Sequence, residues 1–264
     1  MGNTNRLPRD AWYRHTDGLR AAHGSHRVTE AGVDLAARLA DVRATIAAAA
    51  RRAGRDPAEV GVVAVTKTFP PEAVARAVAA GLADVGENYV QEAKAKRAHV
   101  AGARWHLIGG LQRNKVRAAV ATFDRVHTLD DAALAAALDA AARAAGRRLP
   151  VLVQVNVAGD AAKRGTDADG ALDLCRTVLG LPGLALDGLM TIGPLVDDPA
   201  AARPGFRLLR EIRDHVAERL GVELPHLSMG MSDDFAVAVE EGATLVRLGR
   251  VLFGARRPAA WREG

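Results

Sequence analysis

Val60-Gly61-Val62-Val63-Ala64-Val65-Thr66-Lys67 is the stretch from which the rest of the chain can be read. Its small and β-branched apolar residues lie between Pro57 and Pro70-Pro71. Such a run reads as a strand buried on both faces, the pattern of a parallel sheet covered by helices. Strands of that kind end at the rim where α/β folds meet their ligands, and Lys67 stands at that end. Apolar surroundings disfavour the charged form of an amine and so favour the form that attacks an aldehyde. A rim lysine whose head stays in water is the competing reading.

Working outward, Leu35, Leu39, Val42, Ile46 and Ala50 recur at helical spacing before Gly54, which predicts a helix ahead of this strand. Seven further strands are expected, around Val85, Trp105-Ile108, Arg125-Thr128, Pro150-Val157, Leu186-Ile192, His226-Met229 and Leu245-Gly249. Helical patterns separate them, including one over Leu111–Val120, an alanine-rich one capped by Asp130, and one starting near Ser232. The regular βα alternation, without a composition break that would mark a linker, predicts a single closed (β/α)8 TIM barrel. Residues 1–27 lack a helical or strand period and read as a mobile leader, with the barrel over 28–264. The histidines His15, His23 and His26 within the leader read as solvated side chains, not metal ligands.

With 264 residues the chain can bury a full core, and its low aromatic share of 4% predicts a mostly aliphatic one. The formal charge of +5 is spread among mixed helical stretches and argues for a local anion such as phosphate, not for nucleic acid. Cys175 is the only cysteine, which excludes an internal disulfide and fits a reducing cytoplasm. Neither a signal peptide nor a membrane span is expected.

A barrel of this type works at the carboxyl ends of its strands. Those ends carry Lys67; Glu87 and Asn88; His106 with Gly109-Gly110; Asn156 and Lys163; Met190 and Thr191; Ser228-Met229-Gly230; and Arg247, Gly249 and Arg250. The loops after strands seven and eight commonly build a phosphate site, for which Ser228, Gly230 and Gly249 are suited. If Arg247 faces the barrel mouth, its guanidinium needs an acceptor there. A phosphorylated aldehyde fits both halves, with the amine of Lys67 facing the phosphate cradle across the mouth.

At these residues the chain closely resembles the pyridoxal phosphate homeostasis proteins, whose fold is a lone barrel like the amino-terminal domain of alanine racemase. The matching motifs include Val63-Ala64-Val65-Thr66-Lys67-Thr68, Gly86-Glu87-Asn88-Tyr89-Val90-Gln91-Glu92 and Trp105-His106-Leu107-Ile108-Gly109. Leu227-Ser228-Met229-Gly230-Met231-Ser232-Asp233-Asp234 and Val246-Arg247-Leu248-Gly249 continue them in family order. The resemblance implies pyridoxal 5′-phosphate (PLP) carried as an aldimine on Lys67, with Asn88 beside the ring. It places Ser228, Met229 and Gly249 on the phosphate and Arg247 near the pyridine nitrogen. Arg250 stands where the family usually has a small hydroxyl residue, and Gly110 where it often has histidine; Arg250 is therefore an alternative phosphate ligand.

The resemblance further implies a cytoplasmic carrier that contributes to vitamin B6 homeostasis with little or no turnover. Expected partners are PLP and PLP-dependent apo-enzymes, with no nucleic acid and no membrane, and the expected state is a monomer or weak dimer. Racemases on this barrel take a second base, a tyrosine, from an added β domain, for which few residues follow strand eight here. A one-domain racemase or decarboxylase using PLP is the alternative, and a Schiff-base aldolase without PLP is a further one. A basic scaffold is the third class.

Overall fold

The computed structural model describes residues 34–160, 164–193 and 198–254. The expected leader and Lys163 lie outside these residues. Eight strands alternate with helices: α1 (Leu35–Arg52), β1 (Gly61–Val65), α2 (Pro71–Ala79), β2 (Asp84–Glu87), α3 (Val90–Arg97), β3 (Arg104–Leu107), α4 (Val116–Thr122) and β4 (Arg125–Leu129). They continue as α5 (Ala132–Ala144), β5 (Leu149–Gln154), α6 (Ala168–Leu179), β6 (Leu184–Met190), α7 (Arg203–Leu220), β7 (His226–Ser228), α8 (Phe235–Glu240), β8 (Leu245–Leu248) and α9 (Arg250–Phe253). The strands pair in sequence order and close into a barrel. All pairings are parallel, the closing one setting Gly61 to Ala64 of β1 against Leu245 to Leu248 of β8.

Three local expectations are corrected. The segment after β3 forms a short 3-10 turn over Arg113–Lys115 before α4 begins at Val116. The carboxylate of Asp131, not that of Asp130, caps α5 by accepting from the Leu134 N–H at 2.7 Å. α8 starts at Phe235, and Ser232 accepts instead from the backbone N–H of Val251, joining the loops after β7 and β8.

The aliphatic core lies between sheet and helices, where Ala64, Val85, Leu107, Val126, Val153, Leu227 and Leu248 meet Leu39, Ile46, Ala93, Leu138 and Phe206. Each fully buried aliphatic side chain in that layer stabilises the fold by about 1.5–3 kcal/mol. The expectation of an aliphatic core holds for this layer but not for the barrel interior. There a chain of polar side chains runs inward: Asp84 Oδ1 to His106 Nε2 at 2.8 Å, His106 Nδ1 to His127 Nε2 at 2.8 Å, and His127 Nδ1 to Ser228 Oγ at 2.9 Å. Arg247 Nη1 completes it by donating to Ser228 Oγ at 2.8 Å.

Burial holds His106 and His127 below the ordinary imidazole range, and neighbouring Arg125 lowers both further. Burial would raise Asp84, but hydrogen bonds and charges from His106 and Arg104 outweigh it and hold the carboxyl well below its usual value. With neutral imidazoles and an ionised Asp84, a single order of protons satisfies the chain. His106 donates from Nε2 to Asp84, His127 donates from Nε2 to His106, and Ser228 donates to His127 Nδ1.

Burial, with Arg125 and His106 nearby, pushes His226 down to about 3. A group whose folded pKa is depressed takes up its proton first in the unfolded chain, so stability falls as pH drops from about 6.5. Replacing His226 with Asn should make the acid limb between pH 6.5 and about 3 shallower. The difference should approach 1.4 kcal/mol per pH unit (about one proton), read from urea unfolding across that range.

Candidate active site at the barrel mouth

Lys67 lies two residues past β1, in sequence parity with Val63 and Val65. Val63 lies opposite Arg247 in the ladder, so these side chains share the inner face of the barrel. Because β1 and β8 are neighbours, Lys67 stands beside Gly249, not across the mouth from it as the sequence suggested. A methyl group built on Gly249 would meet Val65 at 3.5 Å, an ordinary contact. Packing therefore does not require glycine at this position. The Phe69 and Phe253 rings, 5.3 Å apart, tie the loop after Lys67 to α9.

Asn88 follows β2. A side chain on Gly109, at the end of β3, would lie 2.5 Å from the Asn88 carbonyl oxygen and 2.7 Å from its Cα. Glycine at 109 is what lets Asn88 lie so close to β3. At the neighbouring Gly110, a side chain would collide with the guanidinium of Arg164, which donates to Asp130 Oδ2 at 3.0 Å. Arg164 thus occupies the space that a residue larger than glycine would need.

Arg247 is 5% exposed and donates to Ser228 Oγ at 2.8 Å and to the Thr191 carbonyl at 2.7 Å. Burial lowers it to about 10, with Asp234 acting against that through space, so it stays charged at neutral pH. Both acceptors are neutral, and among the described residues no carboxylate forms an ion pair with this buried cation beneath the mouth. The sequence placed the Ser228 hydroxyl on a phosphate. In the structure that hydroxyl lies between Arg247 and His127.

Met229 packs in the aliphatic layer, and its N–H donates to Leu245 O at 3.1 Å. Arg250 pairs with Asp233 on the surface. These contacts join the ends of β7 and β8 and give both side chains roles in the fold.

Sequence reasoning missed three participants. His127 was passed over as part of a strand, although strand parity puts it with Arg125 on one face. Glu92 enters the sequence reading only as the last residue of a family motif, and Lys96 not at all. Lys96 falls on the same stripe of α3 as buried Val90 and Ala93, which was the available signal. Together with Glu87 they lie behind Lys67: Lys96 Nζ donates to Glu87 Oε1 at 2.7 Å and to Glu92 Oε1 at 2.8 Å. Burial raises Glu87 to about 7 against the opposing pull of Lys96 and Thr66.

The alanine racemase amino-terminal domain model matches residues 37–257, which defines the class of barrel. The pyridoxal phosphate homeostasis proteins of Pseudomonas aeruginosa and Escherichia coli are 46% and 40% identical, each over 84% of this chain and 96% and 97% of their own. The solved structure of PipY from Synechococcus elongatus with PLP bound is 38% identical, with a TM-score of 0.74 over 83% of this chain and 100% of its own. An alanine racemase from Clostridium difficile, 14% identical with a TM-score of 0.67 over 85% of this chain and 57% of its own, shares the fold. The chain belongs to the pyridoxal phosphate homeostasis protein family.

Ser228→Ala leaves a guanidinium N–H and an imidazole nitrogen unpaired inside the barrel. It should cost about 2–3 kcal/mol in urea unfolding, more than a surface Ser→Ala change.

Proposed function

We propose that this protein binds PLP covalently on Lys67 and releases it reversibly, as a cytoplasmic carrier that helps control free vitamin B6, with little or no turnover. The observation that supports this best is the pairing of β1 with β8. With that pairing, Lys67 and Gly249 belong to the same seam of the mouth, above Arg247, a buried cation whose protein acceptors are neutral. In this reading Lys67 supplies the attaching amine and Asn88 flanks the ring. Backbone at Gly249, with the loop at Met229, lines the phosphate end. Ser228 orients Arg247, and Arg250, paired with Asp233, shapes the rim.

Bound PLP supplies an aldehyde that joins reversibly to amines and a ring that accepts electrons when its nitrogen is protonated. Arg247 cannot give a proton to that nitrogen, which weakens the electron sink and favours carriage over turnover. Tyr89, the tyrosine among the described residues, is 56% exposed in the turn after β2 and so is poorly placed to act as a buried second base. PLP-dependent apo-enzymes would be the recipients.

Purified protein mixed with PLP should turn yellow, and borohydride should fix one PLP on the tryptic peptide containing Lys67. Lys67→Ala should remain colourless at the same PLP concentration. A wild type that stays colourless, or that is labelled elsewhere, overturns the assignment. Fast exchange of an amino-acid α-proton in deuterated solvent would replace carriage with racemase chemistry.

A further inference from the structure

The two residues flanking Lys67 are both held by one buried charge cluster on the outer side of the barrel wall. Lys96 Nζ donates to the Thr66 carbonyl at 2.7 Å, as well as to Glu87 and Glu92. Thr66 Oγ1 donates to Glu87 Oε1 at 2.6 Å, and the Thr68 N–H donates to Glu92 Oε1 at 2.5 Å. Thr68 has φ +70°, the only positive φ outside glycine among the described residues. That backbone conformation costs a threonine about 1–2 kcal/mol and persists only where surrounding contacts enforce it.

The side chains of Lys96 and Glu87 are 1% and 0% exposed, and that of Glu92 is 5% exposed. Burying such ions costs several kcal/mol each, and well-packed apolar residues would stabilise the same contact at least as well. Anchoring α3 to the sheet therefore does not by itself explain the cluster. Its contacts do: the three side chains grip the residue before Lys67 at two atoms and the residue after it at one. Lys67 and Thr68 are the central residues of a turn closed by the Phe69 N–H donating to the Thr66 carbonyl at 3.0 Å, and the cluster adds three contacts to that turn; small displacements of a reacting group lower rates strongly.

We propose that Lys96, with Glu87 and Glu92, is the positioning device for Lys67, holding Thr66 and the left-handed Thr68 so that the amine stays at the seam between β1 and β8. These are positioning residues, acting through the backbone of Lys67. The inference rests on the assignment of Lys67 as the PLP-bearing amine and deepens it.

The test compares Lys96→Met, Glu92→Ala and Glu92→Gln in the full chain with two readouts. One is the rate at which PLP and cyanoborohydride label Lys67; the other is acetic anhydride labelling of Lys67 in the PLP-free protein as a function of pH, by peptide mass spectrometry. Lys96→Met and Glu92→Ala should lower the PLP labelling rate at least about tenfold and alter the Lys67 acetylation profile. Glu92→Gln, which keeps an acceptor for the Thr68 N–H, should stay within about threefold of wild type. Folded Lys96→Met with wild-type values in both readouts overturns the proposal, as do equal effects of Glu92→Ala and Glu92→Gln.

If Lys96→Met fails to fold, the Glu92 pair decides alone. A wild type that PLP does not label on Lys67 sinks the PLP assignment, while the acetylation profiles still decide whether the cluster positions the amine.

Discussion

The pairing of β1 with β8 closes the barrel, and the site depends on that closure. These strands lie at opposite ends of the described chain, and their register sets Val63 against Arg247 and Ala64 against Leu248. The same ladder that removes the sheet's edges brings Lys67 beside Gly249. A slip of one residue in this register would turn Arg247 from the interior into the aliphatic layer. Fold stability and site geometry are thus set by one set of backbone hydrogen bonds.

Around that seam the protein uses its two faces differently. Outside the barrel wall, aliphatic side chains fill the space beneath the helices, and among the charged groups that interrupt them is the cluster behind Lys67. Inside, side chains from β2, β3, β4, β7 and β8 form a directional hydrogen-bond chain ending on Arg247. Neutral histidines suit this task because each has one donor and one acceptor, so fixing one bond fixes the next. Arg247 is thereby held in one orientation by neutral hydrogen-bond partners, with Asp234 acting on its charge only through space.

The strands and their order were legible in the sequence because parallel strands of this kind are short apolar runs at regular intervals, as in Val62-Val65 and Val151-Val153. The strand-end residues followed from that reading, Lys67 first. What stayed hidden depends on tertiary packing. Asp130 and Asp131 are equally good caps in sequence, and only the path of the chain decides between them. The partners of Ser228, His127 and Arg247, come from two other strands and have no signature near it in sequence. Lys96 shares an apolar stripe with Val90 and Ala93, but its partners Glu87 and Thr66 come from two strands and only folding brings them together.

Gly110 and Arg164 are interlocked. The guanidinium lies where any larger residue at 110 would project, and it also holds Asp130, whose other oxygen is buried without a hydrogen-bond partner among the described residues. A side chain at 110 would push aside the half-exposed end of Arg164 and loosen its hold on Asp130, whereas a short residue at 164 would leave a notch above glycine. The contour of the rim at this point is thus drawn by two residues from different loops and can be reshaped through either one.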